Sequence, residues 1–118
     1  GWYGKISCAK YCREKNIPYF GICLGMQVMV VEFARHVLGL ERADSTEMDQ
    51  STPHPIISLL EEQKLVSDRG GTMRLGAYEC QLTPDSKSHD IYHSNHISER
   101  HRHRYEVNTT YLKELEEC

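Results

Sequence analysis

No charge of one sign dominates this sequence. It has 118 residues, with 17 acidic against 14 basic side chains, and that near balance excludes a global electrostatic pull toward nucleic acid or a membrane surface. No apolar run approaches the ~20 residues of a membrane span. No stretch of it reads as a secretory or transit segment. The chain opens on Gly1 rather than Met, and the expectation is that its true start has been lost. Internal repeats and low-complexity tracts are absent. The five cysteines are odd in number and lack the dense, even spacing of a disulfide scaffold, so free thiols in a reducing, cytoplasmic setting are expected. Gly70-Gly71-Thr72 lacks the Gly-Lys-Ser/Thr ending of a phosphate loop and reads as a turn. The length suits one small domain that buries roughly two-thirds of its unfolded surface.

What is present is concentrated around Cys23. A short apolar run, Ile17 to Ile22, leads into Gly21-Ile22-Cys23-Leu24-Gly25, and a long helical pattern follows at once. Gly-x-Cys-x-Gly between a strand and a helix is the layout of a nucleophile elbow, which exposes a reactive side chain at the top of a sheet. Small flanking residues allow the tight turn without Cβ clashes, and the helix N-terminus beside the sulfur favours negative charge there. Burial of an inert thiol is the bland reading. The paired glycines and the immediate helix favour the nucleophile.

Periodicity predicts a helix over Lys5–Lys15 on Ile6, Cys8, Ala9 and Cys12, stopped by Asn16 and Pro18. It predicts a short buried strand over Ile17–Ile22, then a mostly buried helix over Leu24–Leu40. The core face of that second helix is Leu24, Val28, Val31, Ala34, Val37 and Leu38, and Gly39 is its stop. A β-turn-α unit preceded by a helix argues for an α/β layered fold with a parallel sheet. Residues 41–55 read as loop, Ile56 to Leu60 as an apolar patch of ambiguous type, and Leu65 as the opening of a short strand before Gly70-Gly71. Met73, Leu75 and Ala77 alternate in one phase and Tyr78, Cys80 and Leu82 in the other, which predicts a bulge near Gly76 in one long strand. Pro84 to Ser88 reads as loop, Ile97 to Val107 as strand, and Tyr111, Leu112 and Leu115 as the opening of a helix.

Other motifs are weaker. Cys8 and Cys12 lie four apart on one helical face with no partner pair at metal-ligand spacing, so core packing is expected. Glu47 alone reads as a loop carboxylate or part of a capping box. In Arg100-His101-Arg102-His103-Arg104 a strand would place the arginines on one face and the histidines on the other. A solvated edge strand, an anion patch and an arginine clamp on a substrate carboxylate all remain open. No acidic or thiol third ligand accompanies the His-x-His pair, so no metal is expected.

Four segments resemble the class I glutamine amidotransferase domain of the CTP synthase family. They are Gly21-Ile22-Cys23-Leu24-Gly25-Met26-Gln27; Ser45-Thr46-Glu47; Gly70-Gly71-Thr72-Met73-Arg74-Leu75-Gly76; and Glu99 through Asn108. The resemblance covers essentially the whole chain. It implies an α/β, flavodoxin-like three-layer sandwich, incomplete at both ends, with residues 1–118 as part of the domain and an N-terminal amidoligase domain elsewhere. It implies Cys23 as the nucleophile on the glutamine carboxamide and the Leu24 N–H as an oxyanion donor. Leu24, Gly25, Met26 and Gln27 would line the glutamine pocket, Glu47 would bind the α-ammonium and Arg104 the α-carboxylate. No cofactor is implied for this chain. ATP and Mg²⁺ would serve the amidoligase domain in converting UTP to CTP, with GTP as activator and a homo-oligomer, a tetramer, as the assembly. No nucleic acid or membrane partner is implied.

Departures from the family pattern are plain. Its His-Pro-Glu motif is absent, because His54-Pro55 is followed by Ile56, so the isolated chain is expected to be a poor glutaminase for want of a base. The glycine-rich segment that carries the second oxyanion donor is matched only loosely by residues 1–5. Asp44 stands where the family has Asn, and Met48 where it has an aromatic residue. A non-catalytic amidotransferase-like interaction module, or a glutaminase serving another synthetase, are the competing readings.

Overall fold

The computed structural model describes residues 1–59 and 74–117. In chain order they form α1 (Trp2–Glu14), α2 (Leu24–His36), β1 (Asp44–Ser45), β2 (Pro55–Leu59), β3 (Arg74–Gln81), α3 (Lys87–Tyr92), β4 (His96–His103), β5 (Tyr105–Val107), a 3-10 turn (Thr109–Tyr111) and α4 (Leu112–Glu116). They fall into two units, residues 1–59 with 105–117, and residues 74–104. The expectations for Leu60, Leu65, Gly70-Gly71-Thr72 and Met73 lie outside the described residues.

In the first unit α1 buries Ile6 and Ala9, one helical turn apart, against α2. Trp2, one turn earlier, packs half-buried against the same core. Cys8 is exposed and Cys12 half-buried, which corrects the expectation that both pack in the core. Asn16, in the left-handed region at φ 53°, ends the helix segment as expected. Residues 17–22 follow without regular secondary structure rather than as the predicted strand, with Ile17, Phe20 and Ile22 exposed. Apolar β-formers set strand propensity, but a strand also needs a ladder partner, and none of the described strands pairs with this segment.

Helix α2 buries Val28, Val31 and Ala34 completely, at the spacing that puts all three on one face. It ends at His36, four residues before the expected Leu40. The Val37 N–H still reaches the Phe33 carbonyl, and Leu40 N–H the Ala34 carbonyl, while Gly39 takes φ +70°. Val37, predicted for the core face, is therefore outside the helix and exposed. Arg13 donates from Nε and Nη2 to the buried Glu32 carboxylate at 2.9–3.1 Å, and His36 Nδ1 lies 3.1 Å from the same carboxylate, which ties α1 to α2.

The sheet has the order β1-β2-β5. β1 and β2 run parallel and β2 and β5 antiparallel, so the sheet is mixed rather than wholly parallel. Strand direction is not encoded in an apolar pattern, which reports burial alone. Residues 41–55, expected to be loop throughout, contain β1, whose Asp44 and Ser45 are buried. Ile56 and Ile57 of β2 join the helical residues and Ala43 in one core, with Trp2, Tyr19, Tyr105, Val107, Tyr111 and Leu115 packed around it.

The second unit is the β3–β4 hairpin with α3. Its register runs unbroken from Arg74 opposite His103 to Gln81 opposite His96, so there is no bulge; Gly76 instead absorbs φ +102°. The phase slip had no burial meaning, since Leu75 and Tyr78 are both exposed. Ser86 caps α3 by accepting the His89 N–H, making a helix where loop was expected through Ser88. The alternation over Ile97–Val107 divides at Arg104 into β4 and β5. Among the described residues no helix is long and apolar enough to cross a membrane.

Candidate active site

Cys23 sits at the N-cap of α2 with φ 54° and ψ −112°, a conformation that costs a non-glycine residue on the order of 1–3 kcal/mol. The turn that enforces it is tightly bonded. Gly25 N–H donates to the Ile22 carbonyl at 2.9 Å, and Met26 and Gln27 N–H donate to the Cys23 carbonyl at 3.1 and 3.2 Å. Among the described residues the Leu24 N–H is not drawn into any such backbone bond, so it stays free to meet an anion beside the sulfur. Cys23 itself is exposed. A strained, solvent-facing thiol at a helix N-terminus is the arrangement a nucleophile requires.

The two elbow glycines do different work. A Cβ on Gly21 would lie 2.6 Å from the carbonyl carbon and oxygen of Gly25 and 2.7 Å from the Met26 nitrogen. Backbone occupies that space, so no side chain fits. At Gly25 the nearest atom to a Cβ would be the Tyr19 hydroxyl oxygen, 3.8 Å away, and that hydroxyl donates to the Gly25 carbonyl at 3.1 Å. Tyr19 thus braces the turn from outside, a role that no motif spacing announced. Its hydroxyl pKa is pushed up by burial, with Cys8 and Cys12 adding to the effect.

Leu24, Gly25 and Met26 are half-buried and Gln27 is buried. The Gln27 amide nitrogen donates to the Tyr105 carbonyl at 3.0 Å. Glu47 is exposed in the turn after β1. There Thr46 N–H donates to the Ile57 carbonyl, Glu47 N–H to Ser45 Oγ, and Met48 and Asp49 N–H to the Ser45 carbonyl. The turn is therefore a defined platform rather than the helix capping box that was one reading of Glu47. Within it, the Ser51 hydroxyl and N–H hold the Asp49 carboxyl below the usual range, helped by Arg42.

The structure places Cys23 to Gln27 on a single helical turn, with Glu47 in the same unit. Arg104 closes the second unit, exposed, in the break between β4 and β5. On β4 the arginines Arg100 and Arg102 are exposed, and His101 and His103 face each other at 3.2 Å between Nδ1 atoms, His101 packing edge-on against Tyr78. That is the two-faced strand the alternation predicted. Among the described residues no group of three or more His, Cys, Asp or Glu side chains could hold a metal ion.

The glutamine amidotransferase class-I family model matches residues 2–118. The chain belongs to the class-I glutamine amidotransferases. Its α/β fold is that of the family. The chain is 65% identical over 118 residues to a CTP synthase of Protochlamydia amoebophila, covering all of this chain and 22% of that protein. It is 60% identical over 117 residues to a CTP synthase of Chlamydia caviae, covering 99% of this chain and 22% of the relative. A solved structure described as the Trypanosoma brucei CTPS glutaminase domain with bound acivicin superposes with a TM-score of 0.89 at 40% identity, over 99% of this chain and 44% of that one. The chain thus spans about a fifth of the length of the curated relatives it matches.

Proposed function

We propose that this chain carries the glutamine-hydrolysing site of a CTP synthase. The observation that carries the reading is the backbone at Cys23, held in the left-handed region at the start of α2 by a turn that only glycine at position 21 permits. The likeness to CTP synthases at 60–65% identity supports the choice of synthetase.

Cys23 Sγ, as thiolate, attacks the carboxamide carbon of glutamine. The C–S bond forms as the C=O π electrons move to oxygen, and the Leu24 N–H donates to that oxyanion. Collapse breaks the C–N bond, and ammonia leaves after taking a proton. Water then adds to the γ-glutamyl thioester, releasing glutamate and the thiolate. Both proton transfers need a general acid–base, which the reading assigns to a histidine–glutamate pair outside this sequence. Leu24, Gly25, Met26 and Gln27 line the pocket, while Glu47 and Arg104 hold the substrate's α-ammonium and α-carboxylate. One carboxylate and one guanidinium match a zwitterion. The ammonia then serves ATP-dependent amination of UTP to CTP in a cytoplasmic enzyme, with ATP and Mg²⁺ acting in an amidoligase domain, GTP as activator and a homotetramer as the assembly.

Ammonia release from glutamine tests the reading. Cys23→Ala is expected to reduce it to background while CTP formation from free ammonia persists. Glutamine hydrolysis that survives Cys23→Ala would overturn the assignment, and loss of both activities would place Cys23 in the general architecture instead.

A further inference from the structure

The buried Asp44 carboxylate accepts from four different residues, and glutamine chemistry makes no direct use of it. It is 1% exposed. Oδ1 accepts from Trp2 Nε1 at 2.8 Å and from the Ser45 N–H at 2.8 Å. Oδ2 accepts from Arg35 Nη2 at 2.7 Å and from the Tyr3 hydroxyl at 3.4 Å. These partners come from the start of α1, the last turn of α2 and the end of β1. Arg35 is itself fixed: its Nε donates to the Ala43 carbonyl, and its guanidinium lies 5.5 Å from the centre of the Tyr3 ring.

All four partners are donors. A carboxylate, which only accepts, satisfies all of them. An asparagine in this place would turn its NH₂ either toward Trp2 Nε1 and the Ser45 N–H or toward Arg35 Nη2, leaving at least one of these donors unmatched. This donor set accounts for aspartate at a position where the family pattern has asparagine.

The clamp has a direct reach into the site. The residue it pins, Ser45, is the hub of the following turn. The Ser45 hydroxyl accepts the Glu47 N–H at 3.2 Å and its carbonyl accepts from Met48 and Asp49 at 2.9 Å each. We propose that Asp44 is a positioning residue that, through Ser45, sets where the Glu47 carboxylate meets the substrate ammonium. This rests on the reading of Glu47 as part of the glutamine site.

Steady-state glutamine kinetics of the full-length protein that carries this chain, with thermal melts, test it. Asp44→Ala is expected to raise KM for glutamine about tenfold with kcat within about twofold, since binding rather than chemistry is lost. Asp44→Asn falls between wild type and Asp44→Ala. Trp2→Phe removes one donor while keeping an aromatic ring, and is expected to raise KM about two- to threefold; it decides the matter if Asp44→Ala does not fold. Glu47→Ala separates the two levels. If it raises KM while Asp44→Ala and Trp2→Phe do not, the clamp is overturned and the glutamine site stands. If Glu47→Ala leaves KM unchanged, the reading of Glu47 fails and the clamp's role fails with it. A lowered Tm at unchanged KM for the Asp44 and Trp2 variants makes the carboxylate a structural group only and overturns the proposal.

Discussion

The side-chain amide of Gln27 donates to the main-chain carbonyl of Tyr105 at 3.0 Å, across 78 positions of sequence. It joins the first turn of α2 to β5, the strand that directly follows Arg104 in the chain. Gln27 is buried, so replacing it with leucine strands a carbonyl that has lost its donor. Gln27→Leu is expected to cost about 1–3 kcal/mol of stability, read by denaturant melts. It should also weaken glutamine binding, read as KM. A neutral melt would show that the Tyr105 carbonyl finds another donor.

Gly21→Ala tests the elbow. The new methyl would sit 2.6 Å from the Gly25 carbonyl, so α2's first turn must shift, and Cys23 and Leu24 with it. Displacements near an ångström cost on the order of 10²-fold in rate, which sets the expected loss of glutamine-dependent activity. Gly25→Ala has ordinary space by comparison, with its nearest neighbour at 3.8 Å, and is expected to be the milder change. Equal losses at the two positions would contradict the division of roles.

Glu32 is almost fully buried and depends on Arg13 for its charge partner. The Arg13 pKa is raised chiefly by its hydrogen bonds to Glu32. Arg13→Met keeps much of the stem and removes the charge. Because Arg13 is partly exposed, the expected loss is on the order of 2–3 kcal/mol, below that of a fully buried broken pair. Arg13→Met combined with Glu32→Gln should recover part of it, and additive losses would show the pair is uncoupled.

Acid should loosen the turn that carries Glu47. The Asp49 carboxyl is lowered by hydrogen bonds from Ser51, with Arg42 contributing. A carboxyl lowered in the folded state stabilises that state above its unfolded pKa, and the contribution is lost as pH falls through the lowered folded value. NMR titration of the Asp49 carboxyl should therefore show a midpoint below the usual ~3.9. Ser51→Ala, which deletes the hydroxyl donor 2.7 Å from Oδ1, should move the midpoint up. A normal midpoint in the wild type would contradict the turn's geometry.

Local chemistry made part of this molecule legible. The Gly-x-Cys-x-Gly spacing and the helical period after it located the elbow, the α2 core face at Val28, Val31 and Ala34, and the end of α1 near Asn16. Features that depend on distant partners were not legible. The ladder state of residues 17–22 depends on neighbouring strands, and the direction of β5 on where the chain returns. Asp44 looked like a departure from a pattern because its donors, Trp2, Tyr3 and Arg35, are scattered over α1 and α2. Tyr19's brace on Gly25 was hidden for the same reason. Alternation over β3 misled because Leu75 and Tyr78 are both exposed, and a hydrophobic phase without burial carries no register.

Covalent labelling of the thiols is the most direct test of the central claim. The reagent is a glutamine analogue with an electrophilic carbon in place of its side-chain amide, and the adducts are mapped by peptide mass. Cys8, Cys23 and Cys80 are all exposed, so exposure alone does not favour one, while the Cys12 thiol is pushed up by desolvation and by neighbouring Cys8. An adduct confined to Cys23 and suppressed by glutamine is the predicted result. Labelling spread across Cys8, Cys23 and Cys80 and indifferent to glutamine would contradict the assignment of Cys23 as the nucleophile.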